Sequence, residues 1–260
     1  MDFITPNNIE SFFLAFIRVL TIVVFLPVLG YQGVDMRVKV LLSFLLAILL
    51  FPFVTPIAPT IDGGLIKFVG YALSELFIGI TIGFVPLFIF AAFQFAGELM
   101  GLQMGLTMMA MMDPTTDTNL SLMSRLKYFF LMLIFLLIGG HLFFIEAIGE
   151  SFKEIALGSV NFLSVSSITE MLTKNLSTLF SLGIKAGAPV VVTLFIIESA
   201  LGIIARTVPQ MNIFLVGFPL KILIGFITFI TILGYVIKLF IVNLGIVEHD
   251  MLSLIKLLGG

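Results

Sequence analysis

The 260-residue chain has no cysteine and no tryptophan, two histidines, and only 11% charged residues. Without cysteine it forms no disulfide, no thiolate metal site and no thiol nucleophile. His141 and His249 belong to no HExxH motif, and His141 stands five residues from Glu146. Five residues turn a helix by about 140°, so those two side chains cannot share a metal face. A Gly-rich phosphate loop ending in Lys-Ser/Thr is missing, as is a Gly-x-Ser-x-Gly elbow. We therefore expect no catalysis, no cofactor and no metal. The formal net charge of −2 gives no basis for a nucleic-acid surface or a polybasic lipid patch. Tryptophan normally joins tyrosine in the interfacial belts of membrane proteins. Here Tyr31, Tyr71, Tyr128 and Tyr235 are left to fill that role.

What remains is apolar. Sixty per cent of residues are hydrophobic, 29 of them phenylalanine, and mean hydropathy is +1.24. A soluble domain could not hide so much apolar surface, so the composition predicts an all-α membrane protein in contact with lipid. Residues 1–17 hold Asp2 and Glu10 but no Lys or Arg, so a cleavable signal is not expected there.

The apolar segments fall at about 11–29, 38–53, 65–96, 127–148, 183–205 and 211–245, about six helices by length. Most are interrupted. Pro27, Pro52, Pro86, Pro189, Pro209 and Pro219 lie in or beside them, as do Arg18, Glu75, Glu98, Glu198, Arg206, Lys221 and Lys238. A charge at mid-bilayer is costly, so such residues face protein or a water-filled path. Backbone groups freed at Pro and Gly need shelter from lipid as well. The pattern predicts broken, kinked helices sheltered by neighbours. Segment 65–96 is expected to kink or divide at Pro86, and 211–245 to break near Gly217 and Pro219. Helix 38–51 should end before Pro52, at about 21 Å too short to span. Only 127–148 reads as a clean span, uncharged from Tyr128 to Ile145.

Loop charges do not decide topology: Arg37, Lys39, Arg125 and Lys127 oppose Lys67, Lys153, Lys174 and Lys185. Either the loops are simply poor in charge or the helices are not simple spans. Residues 146–182 are the most polar stretch, read as an extramembrane helical hairpin or amphipathic pair. Glu146, Glu150 and Glu154 form a helical stripe with Lys153 beside Glu150, either a solvated helix end or a dock for a basic partner. Ser167-Ile-Thr-Glu170 has the spacing of a capping box and marks a new helix start. Glu75 precedes Pro86, and Glu198 precedes Pro209, by the same interval, an echo of transporter repeats or a coincidence.

Residues 100–112 hold six methionines, at 100, 104, 108, 109, 111 and 112, followed by Asp113-Pro114. The residue before proline is pushed out of the α region, so a helix should stop there. Methionine is unbranched and polarizable, which suits irregular space. The stretch is either an adaptable core filler or a deformable seal across a pore.

Two motifs carry a resemblance. Arg206-Thr-Val-Pro209-Gln-Met-Asn212, continuing through Gly217-Phe-Pro219-Leu-Lys221 to Gly225, resembles the signature of the FliR family of flagellar biosynthetic proteins. So does Gly97-Glu98-Leu-Met-Gly101-Leu-Gln-Met104-Gly105, running into Asp113-Pro114. Gly140-His141, the length and the hydropathy agree. The resemblance implies a subunit of the flagellar type III export gate in the bacterial inner membrane, at the flagellar basal body. Its implied partners are FliP, FliQ, FlhB and FlhA, membrane lipid, and the unfolded flagellar proteins that pass. It further implies a FliP-like part over about 1–182 and a FliQ-like helical hairpin over about 183–260. The spiral of helices would sit largely above the bilayer.

By the same resemblance Met104, Met108, Met109, Met111 and Met112 are expected in a channel plug, where family members often carry Phe. Glu98, Gly101, Gly105, Asp113, Pro114, Arg206, Pro209, Asn212, Gly217, Pro219 and Lys221 are expected at subunit interfaces or in structural motifs. Arg206 and Lys221 are candidate partners of carboxylates on FliP or FliQ, or of carboxylates within the chain. Where the family often places Pro before the first-loop Arg, this chain reads Asp35-Met36-Arg37, so that turn is not carried over. Two rival readings stand beside the gate: a small-solute secondary transporter with a broken-helix site, and a scaffold that lines no path.

Overall fold

The computed structural model describes residues 6–27, 34–54, 64–106, 122–159, 165–208 and 213–259. Among these the secondary structure is helical throughout. We label the helices α1 (Pro6–Phe25), α2 (Met36–Leu50), α3 (Gly64–Met104), α4 (Leu122–Leu137), α5 (Gly140–Glu154), α6 (Val165–Thr207) and α7 (Ile213–Gly259). Five stretches are long and apolar enough to cross a membrane, or six if the bent α4–α5 pair is one span. The chain is an all-α membrane protein, as its composition requires.

The divisions expected at Pro86 and near Gly217 and Pro219 do not occur. Pro86 lies inside the 41-residue α3, Pro189 inside the 43-residue α6 and Pro219 inside the 47-residue α7. A proline forfeits one backbone hydrogen bond and crowds one turn, at about 3 kcal/mol. The break comes instead inside the stretch that looked cleanest. Gly139 adopts φ +77° between α4 and α5, and the chain bends there by 69°. Gly139-Gly140 allows this without steric cost, and the Phe135 ring lies directly over Gly140, where a Cβ would clash. Helix α2 does end at Leu50, but a 3₁₀ turn over Phe51–Phe53 continues it. Together they reach about 28 Å, so the expectation that this segment is too short is corrected. At its start Asp35 caps the helix, its Oδ1 accepting from the Arg37 N–H at 2.8 Å.

Residues 146–182 comprise two helical stretches, each continuous with the helix beyond the region. The stretch divides between the end of α5 and the first part of α6, which begins at Val165, just ahead of the expected cap Ser167. Lys153 and Glu150 do pair, at 2.7 Å, on the exposed side of α5. Hydroxyls within the apolar helices are satisfied locally. Thr21, Ser43, Thr81, Thr193 and Thr228 each donate to the carbonyl four residues back at 2.7–2.8 Å.

The chain forms two compact units, one from Met1–Phe88, Phe135–Asn175 and Leu244–Gly260, the other from Ile89–Ile134 and Leu176–Asn243. In the first, Gly79 and Gly83 of α3 lie against α1. An added Cβ would come within 2.6 Å of Thr21 Cβ and 2.7 Å of Phe25 Cβ respectively. In the second, Gly183 and Gly187 of α6 lie against α3 at Ala92 and Ala96, and a Cβ on Gly183 would come within 2.8 Å of the Ala92 carbonyl oxygen. Small residues four apart let helix backbones approach closely, the usual device where lipid removes the hydrophobic drive between helices. The proposed division at 182/183 falls inside the unbroken α6.

Candidate functional site

The methionine stretch starts from a pinned helix end in the second unit. Met100 and Met104 are four apart, so they share one face of α3. Both are fully buried, in a cluster with Val190, Leu194 and Phe229. The Met104 thioether fits over Gly225 of α7, where a Cβ would lie 2.6 Å from its Cε. Gly105 then stops α3: its φ is +81°, and its N–H donates to the Leu102 carbonyl at 3.0 Å. The Phe218 ring presses on Gly105, so no larger residue fits there. A helix end in the left-handed conformation with no room for a side chain calls for glycine.

Beside this end, three helices meet at one carboxylate. Glu198 of α6 accepts from Lys221 Nζ of α7 at 2.7 Å and from Gln103 Nε2 of α3 at 3.2 Å. The Glu198 side chain is 55% exposed and that of Lys221 17%, so water reaches the pair. The group ties the residue before Met104 to both neighbouring helices.

The first unit holds a second polar centre, fully buried. Arg18 of α1 grips Glu75 of α3 through two bonds, Nε to Oε2 at 2.5 Å and Nη2 to Oε1 at 3.1 Å. Its Nη1 donates to the carbonyls of Ser151 and Ile155 at 2.8 and 3.1 Å, closing the C-terminus of α5. Glu75 Oε1 also accepts the Gly158 N–H at 2.7 Å, and the guanidinium carbon lies 4.6 Å from the Phe152 ring centre. Both side chains are wholly buried. The sequence had marked Arg18 and Glu75 as charges inside apolar runs without joining them. Their opposite signs were the available signal. The two carboxylates of the Glu75/Glu198 echo differ in surroundings: Glu75 is enclosed by Arg18, while Glu198 stands half in solvent.

A family model described as bacterial export proteins, family 1, matches residues 9–245. The chain belongs to this family. Among similar curated proteins, the flagellar biosynthetic protein FliR of Bacillus subtilis (strain 168) is 30% identical, over 96% of each chain. That of Escherichia coli (strain K12) is 32% identical over 84% of this chain and 82% of its own. That of Buchnera aphidicola subsp. Schizaphis graminum (strain Sg) is 34% identical over 84% and 83%. Family and relatives together make the chain a component of the flagellar export apparatus.

Within this export protein the residues singled out by sequence separate. Gly101 and Met104 are buried in α3, Gly105 ends it, and Glu98 is half-buried on it. Gly217 is buried and Pro219 exposed near the start of α7, with Lys221 in the ion pair described. Arg206 is exposed in the last turn of α6 and makes no ion pair among the described residues. Of the two pairings weighed for Lys221, the one within the chain is present. Met108, Met109, Met111, Met112, Asp113, Pro114, Pro209 and Asn212 lie outside the described residues. His141 stands exposed at the second position of α5.

Proposed function

We propose that the chain is a subunit of the flagellar type III export gate in the bacterial inner membrane, at the flagellar basal body. It assembles with FliP and FliQ, beside FlhB and FlhA, around a path for unfolded flagellar proteins. In this reading the chain does no chemistry. Met108, Met109, Met111 and Met112 close the path when it is empty and yield to a passing chain. Met104 belongs to the base of that plug rather than its tip.

The observation that supports this best is the pinned end of α3. Met104 over Gly225, Gly105 under Phe218, and the Gln103–Glu198–Lys221 group fix the point from which the methionine stretch departs. A seal that deforms needs a fixed base, and methionine supplies the deformable part. Wholly buried ion pairing occupies Glu75, one of the two carboxylates whose echo supports the rival transporter. The test is to co-express the tagged chain with FliP and FliQ of the same bacterium and weigh the purified material by native mass spectrometry. A discrete complex of all three is expected. A chain that runs alone or only with copies of itself overturns the reading.

A further inference from the structure

Phe218, Lys221, Gly225 and Phe229 follow one another on α7 at intervals of three, four and four residues, so they share one face. Each meets the end of α3 or what packs against it. Phe229 belongs to the cluster with Met100 and Met104, Gly225 receives the Met104 thioether, and Phe218 covers Gly105. On α6, Val190, Leu194 and Glu198 are four apart and form a matching face, apolar at the first two positions and acidic at the third. Both faces turn from apolar to charged where Gln103 of α3 reaches Glu198.

The polar group has a strong link and a weak one. Lys221 Nζ donates to Glu198 Oε1 at 2.7 Å, cation to anion. The Gln103 amide, a neutral donor, reaches Oε2 at 3.2 Å and is the weaker of the two. Each carboxylate oxygen serves one donor, so Gln103 can leave without parting Lys221 from Glu198. Water then takes its place, because the Glu198 side chain is 55% exposed. No charge is stranded, and release costs little. Met104 does not oppose the movement, since an unbranched thioether repacks readily.

We propose that Gln103 and the Glu198–Lys221 pair form a releasable latch on the end of α3. Fastened, it holds the base of the methionine stretch at rest; released at Gln103, it lets that base move when a chain passes. Glu198 is the catch, and Lys221 is a positioning residue that keeps the carboxylate in place after Gln103 has left. The latch rests on the reading of the methionine stretch as a seal; the order in which the two bonds yield rests on their geometry alone.

The experiment uses the complex with FliP and FliQ in sealed vesicles and reads two quantities: ion leak, and amide hydrogen exchange over residues 101–105. Gln103→Glu sets two carboxylates against each other and should raise both by about two- to fivefold, with Gln103→Met close behind. Gln103→Lys fastens the latch, so leak stays at the wild-type level while secretion of flagellar proteins slows by a similar factor. Lys221→Glu alone should leak. Adding Glu198→Lys to it should restore the seal, because the Gln103 amide can turn its oxygen toward the ammonium. Every variant is expected to assemble in wild-type yield, which a mere defect of folding would not allow. An assembled Gln103→Glu complex with wild-type leak and exchange overturns the latch; where that variant assembles poorly, Gln103→Met decides by the same criterion. Joint replacement of Met108, Met109, Met111 and Met112 by glycine is the reference. If it leaks and Gln103→Glu does not, the latch alone falls. If neither leaks, the seal reading falls and takes the latch with it.

Discussion

Arg18 meets Glu75 in one unit and Lys221 meets Glu198 in the other, at 2.5 and 2.7 Å, yet the surroundings differ completely. The first pair is sealed from solvent and makes five hydrogen bonds: two between the ions, two from the guanidinium to backbone carbonyls, and one from a backbone N–H to the carboxylate. A sealed charge without its partner faces the full desolvation penalty, so the set is all or nothing. The second pair is bathed on one side, shares its carboxylate with an amide, and can open without stranding a charge. The contrast belongs to the pairs and not to the helices: α2 of the first unit is 17% buried, as are α6 and α7, while α3, at 61%, contributes to both units. One pair is closed to water, and the other is open to it.

The largest effect should come from the sealed pair. Glu75→Ala is expected to cost about 3–5 kcal/mol by thermal unfolding in detergent. The joint replacement Arg18→Met with Glu75→Leu should recover most of that loss. A cost below about 1 kcal/mol for the single change would erase the contrast with Lys221. Next, Met104→Ala opens a cavity under the base of the methionine stretch, at about 2–5 kcal/mol. Gly79→Val and Gly183→Val probe the two close helix contacts, one per unit. Each should cost about 1–3 kcal/mol through overpacking, and clearly unequal costs would show that only one contact holds its unit together. The smallest change is Lys221→Ala, at most about 1 kcal/mol and further reduced by added salt.

Much of this was legible in the sequence. Hydropathy and composition alone required an all-α membrane protein, whereas the helix stop was expected at Asp113-Pro114 and α3 ends at Met104, ahead of Gly105. The stop ahead of Pro52 was foreseen, but division at Pro86 and near Pro219 was misjudged because a single proline was given too much weight. Pro86, Pro189 and Pro219 each remove one hydrogen bond from helices of more than forty residues, whereas Gly139-Gly140 offers the chain a new direction. The Arg18–Glu75 pairing spans 57 residues, and no local pattern encodes which buried cation meets which carboxylate. Of the site itself, sequence identified residue types and the structure supplied the base on which they stand.

The measurement that bears most directly on the account is ion leak through the assembled complex. Met108, Met109, Met111 and Met112 are replaced together by glycine, the complex with FliP and FliQ is verified, and ion flux across the membrane is compared with wild type. The account predicts a complex that assembles normally and a membrane that leaks. An assembled variant complex with the wild-type leak rate would contradict it.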